Sequence, residues 1–103
     1  MKRRYLVVYE HGKRNYSGFA PDVPGCISTG RDLPTMRRMM REALESHLQW
    51  MANDGDEIPE ARTMQVEFTD EDTKPNNPDH YFVVEWLEVK LPVSPQMPQA
   101  MTA

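Results

Sequence analysis

Glu10, Asp22, Asp32 and Glu85 are the carboxylates that this chain could bring together at the ends of strands. Two-metal hydrolysis of a phosphodiester needs several such oxygens converging on ions about 4 Å apart, held on rigid elements. Two of the four have a simpler role. Asp22 follows Pro21 in a turn, where an aspartate bonds nearby backbone N–H groups. Asp32 stands at a helix start, where it can accept the N–H of Thr35 because Pro34 has none to give. The three histidines offer no metal ligand set either. His47 lies on the apolar arc of a helix with no cysteine or second histidine at ligand spacing, so a packed, hydrogen-bonded ring is expected. His11 and His80 fall in expected loops and read as solvated. Cys26 follows a turn glycine with no base or helix N-terminus beside it, which makes it a small buried hydrophobe rather than a nucleophile. No metal site, no catalytic set and no cofactor is expected, and a small-molecule module lacks its Gly-rich phosphate loop.

The elements that position these residues follow from periodicity. Tyr5 to Glu10 is rich in aromatic and β-branched residues and reads as a strand. His11 to Asn15 is a polar turn, so Tyr16 to Ala20 returns antiparallel as a hairpin. Pro21 stops that strand because it lacks the ladder donor. Val23-Pro24-Gly25-Cys26 fits a type II turn, with proline at the second position and glycine at the third, where φ is positive. Cys26 to Thr29 is the third strand, and Gly30 ends it. From Leu33 to Asn53 the period becomes helical: Leu33, Met36, Met40, Ala43, Leu44, His47, Leu48 and Met51 share one arc, flanked by Met39 and Trp50. Arg37 projects among them and must either snorkel or meet a carboxylate. Gly55 ends the helix. Thr63 to Phe68 alternates like a short strand, and Thr69 to Asp79 is an acidic loop. Tyr81 to Leu87 is a strand apolar on both faces, expected to be central or covered by another subunit. Residues 1–90 thus form one domain, and 91–103, with Pro92, Pro95 and Pro98, an extended tail.

Composition limits the function. The 103 residues carry 16 acidic against 12 basic side chains, a net −4, which disfavours autonomous binding to nucleic acid phosphates. Arg31, Arg37, Arg38 and Arg41 make one basic patch, read as a solvated or ion-pairing face. One cysteine excludes an internal disulfide, and no secretory or membrane-spanning apolar run is present, so a cytoplasmic location is expected. With 39% hydrophobic residues and nine prolines, a self-sufficient core is modest and association is expected.

Several of these pieces stand together in an order that resembles the HicB antitoxin family. They are Tyr16-Ser17-Gly18-Phe19, then Pro21-Asp22-Val23-Pro24-Gly25-Cys26-Ile27-Ser28-Thr29-Gly30, then Ser46-His47-Leu48, then Gly55 with Ile58-Pro59. The resemblance covers about Tyr5 to Pro59. It implies an α+β fold, a partial RNase H-like β-β-β-α-β arrangement with an antiparallel meander and one long helix on one face. Tyr16, Ser17, Phe19, Pro21, Asp22, Pro24, Gly25, Cys26, Ser28, Gly30 and His47 would then be structural motif residues. It also implies an antitoxin that occludes HicA, a small basic toxin of double-stranded-RNA-binding-like fold that cleaves mRNA. Charge places that contact on the later half of the chain, at Asp54, Asp56, Glu57, Asp70, Glu71 and Asp72, with Trp86 as an apolar contact. Many family members add a DNA-binding module; the thirteen residues after Lys90 are too few for one, so direct DNA binding is not expected. The alternatives are an orphan interaction domain without a toxin and a metal-dependent nuclease built on Glu10, Asp22 and Glu85. Apolar residues on both faces of the sheet lead to a homodimer or higher homo-oligomer as the expected assembly.

Overall fold

In the computed structural model, which describes residues 1–68 and 79–92, the chain folds as β1 (Lys2–His11), β2 (Tyr16–Phe19), β3 (Ile27–Gly30), α1 (Leu33–Asn53) and β4 (Tyr81–Lys90). The four strands form one antiparallel sheet in the order β3-β2-β1-β4. This is the expected α+β meander with one long helix, and the helix limits coincide with the periodic segment.

Local chemistry explains each junction. The β1–β2 turn closes with the Gly12 N–H donating to the Asn15 carbonyl at 2.9 Å. In the next turn the Cys26 N–H donates to the Val23 carbonyl at 3.2 Å, and Gly25 takes φ 87°, as a type II turn requires. Asp32 caps α1 by accepting the Thr35 N–H at 2.8 Å. At the other end Gly55 has φ 81°, its N–H donates to the Ala52 carbonyl, and the Asp56 N–H donates to the Met51 carbonyl. That pair of bonds is a Schellman close, which satisfies carbonyls the last turn leaves unpaired.

The core lies between α1 and one face of the sheet. Met36, Met40, Leu44 and Leu48 are fully buried against Tyr5, Val7, Tyr9, Leu87 and Val89, with Val23 and Cys26 sealing one end. Each such side chain contributes about 1.5–3 kcal/mol relative to exposure. The helix comes close because Gly18 and Gly30 have no side chain. A Cβ on Gly30 would lie 2.6 Å from the Met36 backbone, and one on Gly18 would lie 2.9 Å from both the Tyr9 ring and the Met36 methyl.

Three expectations change. Thr63 to Phe68 is not a strand: the segment is tied by its backbone to Asp22 and pairs with none of the four strands. Phe68 stacks on Phe82, whose side chain points away from α1, with ring centroids 4.4 Å apart. The sheet face opposite the helix is therefore met by the chain itself at Phe82, and Leu6 and Val8 on the same face are 4% and 0% exposed. The third change concerns β4, which is not central but an edge strand, paired only with β1.

The loss of strand character has a cause in Asp22. Its Oδ2 accepts the N–H groups of Arg62 and Thr63 at 2.9 and 2.8 Å, and its Oδ1 accepts the Thr63 hydroxyl at 2.7 Å. Upstream, the Pro59 carbonyl accepts the Tyr5 hydroxyl and the Arg3 guanidinium. Side chains and carbonyls, not a ladder, hold this strap.

Candidate protein-binding surface

The carboxylates considered for metal binding are engaged elsewhere. Asp22 is held by the strap, and Asp32 caps α1. Glu85 lies mid-strand on the helix side and takes a bidentate contact from Arg37, with Nε and Nη2 both 2.9 Å from its oxygens. Of the two roles open to Arg37, the structure selects the carboxylate partner. The Tyr9 hydroxyl is buried beside this pair without closing a hydrogen bond of good geometry, and burial, with Glu85 adding, pushes its pKa well above the usual phenol value. Glu10 lies 2.7 Å from His80 Nε2. Among the described residues no three His, Cys, Asp or Glu side chains converge on a metal position.

The histidines depart from the sequence reading. His11 ends β1 rather than sitting free in a turn; its ring stacks on Tyr81 at 4.5 Å and its Nδ1 meets the Asp79 carbonyl. Tyr81 in turn lies 2.7 Å, hydroxyl to hydroxyl, from Tyr16, a contact that raises the Tyr16 pKa. His80 is tied to Glu10 and rests edge-on against Phe82. Neither ring is simply solvated, because the end of β1 and the start of β4 bring aromatic and acidic partners to both. His47 is half-buried, tilted 6.2 Å from the Trp50 ring, with no hydrogen bond among the described residues. Its arc position faces the margin of the sheet, where it lines a surface instead of filling the core. Cys26 is buried as expected, and burial pushes its thiol pKa up, away from reactivity.

What remains exposed is suited to a protein partner. Asp54, Asp56 and Glu57 are all exposed at the end of α1. Asp70, Glu71 and Asp72 lie outside the described residues. Trp86 is 41% exposed, but it pairs with Leu6 on the face turned away from α1 and does not join the acids of the helix end. The residue that sequence reasoning missed is Trp50, 60% exposed on the last turns of α1. It borders a shallow groove of about 310 Å³ whose walls include Gly25, Ile27, Ala43 and His47. On its other side Trp50 neighbours Glu42 and Glu45. The signal was present: Trp50 flanks the apolar arc rather than sitting in it, too far round the helix to reach the core. A large exposed aromatic in a groove, ringed by acids, is the make-up of an interface anchor.

An antiparallel four-stranded sheet with one long helix on one face defines a small α+β module. Residues 5–94 match the family described as HicB-like antitoxin of bacterial toxin–antitoxin system. The chain belongs to that HicB-like antitoxin family.

Relatives agree. A UPF0150 protein of Thermotoga maritima is 40% identical over 53 residues, covering 52% of this chain and 67% of its own length. A 14.9 kDa protein from the rep-hol intergenic region of Haemophilus phage HP1 is 31% identical over 61 residues, 59% of this chain and 46% of its own, so the match spans about half of that relative. Among solved structures, a chain of a toxin–antitoxin complex from Streptococcus pneumoniae superposes with TM-score 0.69 at 14% identity, covering 87% of this chain and 70% of that one. A chain of the HicA3 and HicB3 toxin–antitoxin complex gives TM-score 0.58 at 18% identity, covering 87% and 99%. At these identities the structural likeness establishes the fold. No helix among the described residues is long and apolar enough to cross a membrane.

Proposed function

We propose that this chain neutralises a small basic, HicA-type mRNA-cleaving toxin by covering its RNA-binding face, and that it does so by occlusion without enzymatic activity of its own. The carrying observation is the exposed helix end: Trp50 at 60% exposure beside Glu42, with Asp54, Asp56 and Glu57 one turn further on. Acids steer a basic partner into encounter, and a desolvated tryptophan holds it once docked. Asp70, Glu71 and Asp72 extend the acidic field in sequence and belong to the same proposal. The basic residues Arg31, Arg38 and Arg41 cluster at the other end of α1, where they would repel such a partner.

The test is an RNA cleavage assay with a small basic toxin of the HicA type. Adding the chain at equimolar ratio should abolish cleavage, and Trp50→Ala should weaken that inhibition by roughly tenfold or more. Undiminished cleavage with excess chain would reduce the reading to an interaction domain without a toxin. Cleavage of RNA by the chain alone with Mg²⁺ or Mn²⁺, lost in Asp22→Asn, would replace it with the nuclease. The proposal also holds the antitoxin to be a homodimer.

A further inference from the structure

The free edge of β4 is capped along only half its length. In the β1–β4 ladder the odd residues of β4 bond to β1, as the Leu91 N–H to the Met1 carbonyl at 2.9 Å confirms, so the even residues turn their N–H and C=O outward. Two outward groups are taken by α1. Arg41 Nε donates to the Glu88 carbonyl at 3.1 Å, and the Lys90 N–H donates to Glu45 at 2.9 Å. Arg37, Arg41 and Glu45 lie four residues apart on one line of the helix, which runs beside this edge. Among the described residues nothing caps the outward groups of Phe82, Val84 and Trp86. In the same stretch Val84 and Trp86 are 40% and 41% exposed, and Trp86 lines an open cleft of about 530 Å³. An uncapped, apolar edge is a template for another strand.

We propose that the strand it takes is β4 of a second copy of this chain, antiparallel, with Val84 on the twofold axis. A twofold interface must complement itself, and the order Phe82, Val84, Trp86 on one face reads aromatic, aliphatic, aromatic in both directions. Centred on Val84, the pairing sets Val84 against Val84 and each Phe82 against the second copy's Trp86, and it uses only the uncapped groups. Aromatic cross-strand pairs of this kind stabilise a sheet. Centring on Trp86 instead would need the Glu88 carbonyl and Lys90 N–H that Arg41 and Glu45 already hold. Centring on Glu85 would set two like charges opposite each other. The result is a continuous eight-stranded sheet made from two four-stranded ones, with each Trp50 groove on the outer helix layer and free for a partner.

This specifies the homodimer named above and does not depend on the toxin. Sedimentation equilibrium of the full chain at micromolar concentration should give twice its 12.0 kDa mass. Val84→Lys, which places a charge on the exposed edge, should give the single mass with an unchanged circular dichroism spectrum. Val84→Cys should form a chain-to-chain disulfide under mild oxidation at least tenfold faster than Ile27→Cys at the far edge, a measurement that stands if the lysine variant fails to fold. A monomeric wild type, a dimer that survives Val84→Lys, or equal oxidation of the two cysteine variants would overturn it. Toxin inhibition by the folded Val84→Lys chain separates the two readings: its retention is expected, since Trp50 is untouched.

Discussion

Arg37 reaches from the helix across the edge of the sheet to grip both oxygens of Glu85, with Nε and Nη2 each at 2.9 Å. The contact fixes the lateral position of α1 over β4 and neutralises a carboxylate that would otherwise face the buried Tyr9 hydroxyl. Arg37→Ala should therefore lower stability by about 1 kcal/mol, a modest figure because the arginine is partly exposed. Replacing both residues with leucine should recover most of that loss, since no unpaired charge is left behind. Urea midpoints of the three variants check this.

Gly25 and Gly30 share a motif but meet different demands. Gly25→Ala has free space for its methyl and suffers only from φ 87°, so it should cost about 1 kcal/mol. Gly30→Ala drives a Cβ to 2.6 Å from the Met36 backbone and must move the whole helix, so a loss of about 3 kcal/mol or more is expected. Thermal unfolding that ranks Gly25→Ala as the worse variant would contradict the packing described here.

Asp22 should make the strap sensitive to acid. Partial burial raises its pKa, but the Thr63 hydroxyl and the two backbone N–H groups outweigh that and hold it below the ordinary carboxylate value. Asp32 is also lowered, by the Thr35 cap. A carboxyl with a depressed folded pKa contributes stability that is complete above its unfolded value, about 3.9, and is lost as pH falls through the folded value. Stability should thus be flat with respect to these groups near neutrality and decline below about pH 4. In Asp22→Asn the acid-dependent part should shrink, with about 1–2 kcal/mol already lost at pH 7 through the weakened hydrogen bonds. Denaturation followed from pH 7 to pH 2 measures both.

Much of the fold was legible because short-range chemistry dictated it. The Asp32 cap, the Pro24-Gly25 turn, the Gly55 stop and the helix arc each depend on residues within a few positions of one another. The bond from Arg37 to a carboxylate was legible as a misfit, though not its partner 48 positions away. Less could be read where distant segments meet. The Thr63 to Phe68 alternation is real, but it reflects a strap with Val66 and Phe68 half-buried, not a ladder. The apolar character of β4 has two sources, Leu87 and Val89 packed under α1 on one face and Phe82 against Phe68 with Val84 and Trp86 half-exposed on the other, which is why an edge strand read as central. Trp50 was visible only as a flank of the helical arc, and its groove needs the β2–β3 turn beside it.

The central claim is that the acidic, Trp50-bearing end of α1 is the toxin-binding surface, and binding kinetics test it most directly. Association with a basic toxin of the HicA type should be fast at low salt and slow steeply as salt rises. Converting Asp54, Asp56 and Glu57 to their amides should cut the low-salt association rate by about tenfold and flatten its salt dependence, while Trp50→Ala should chiefly speed dissociation. An unchanged low-salt association rate in the amide variant, together with an unchanged dissociation rate for Trp50→Ala, would contradict the assignment.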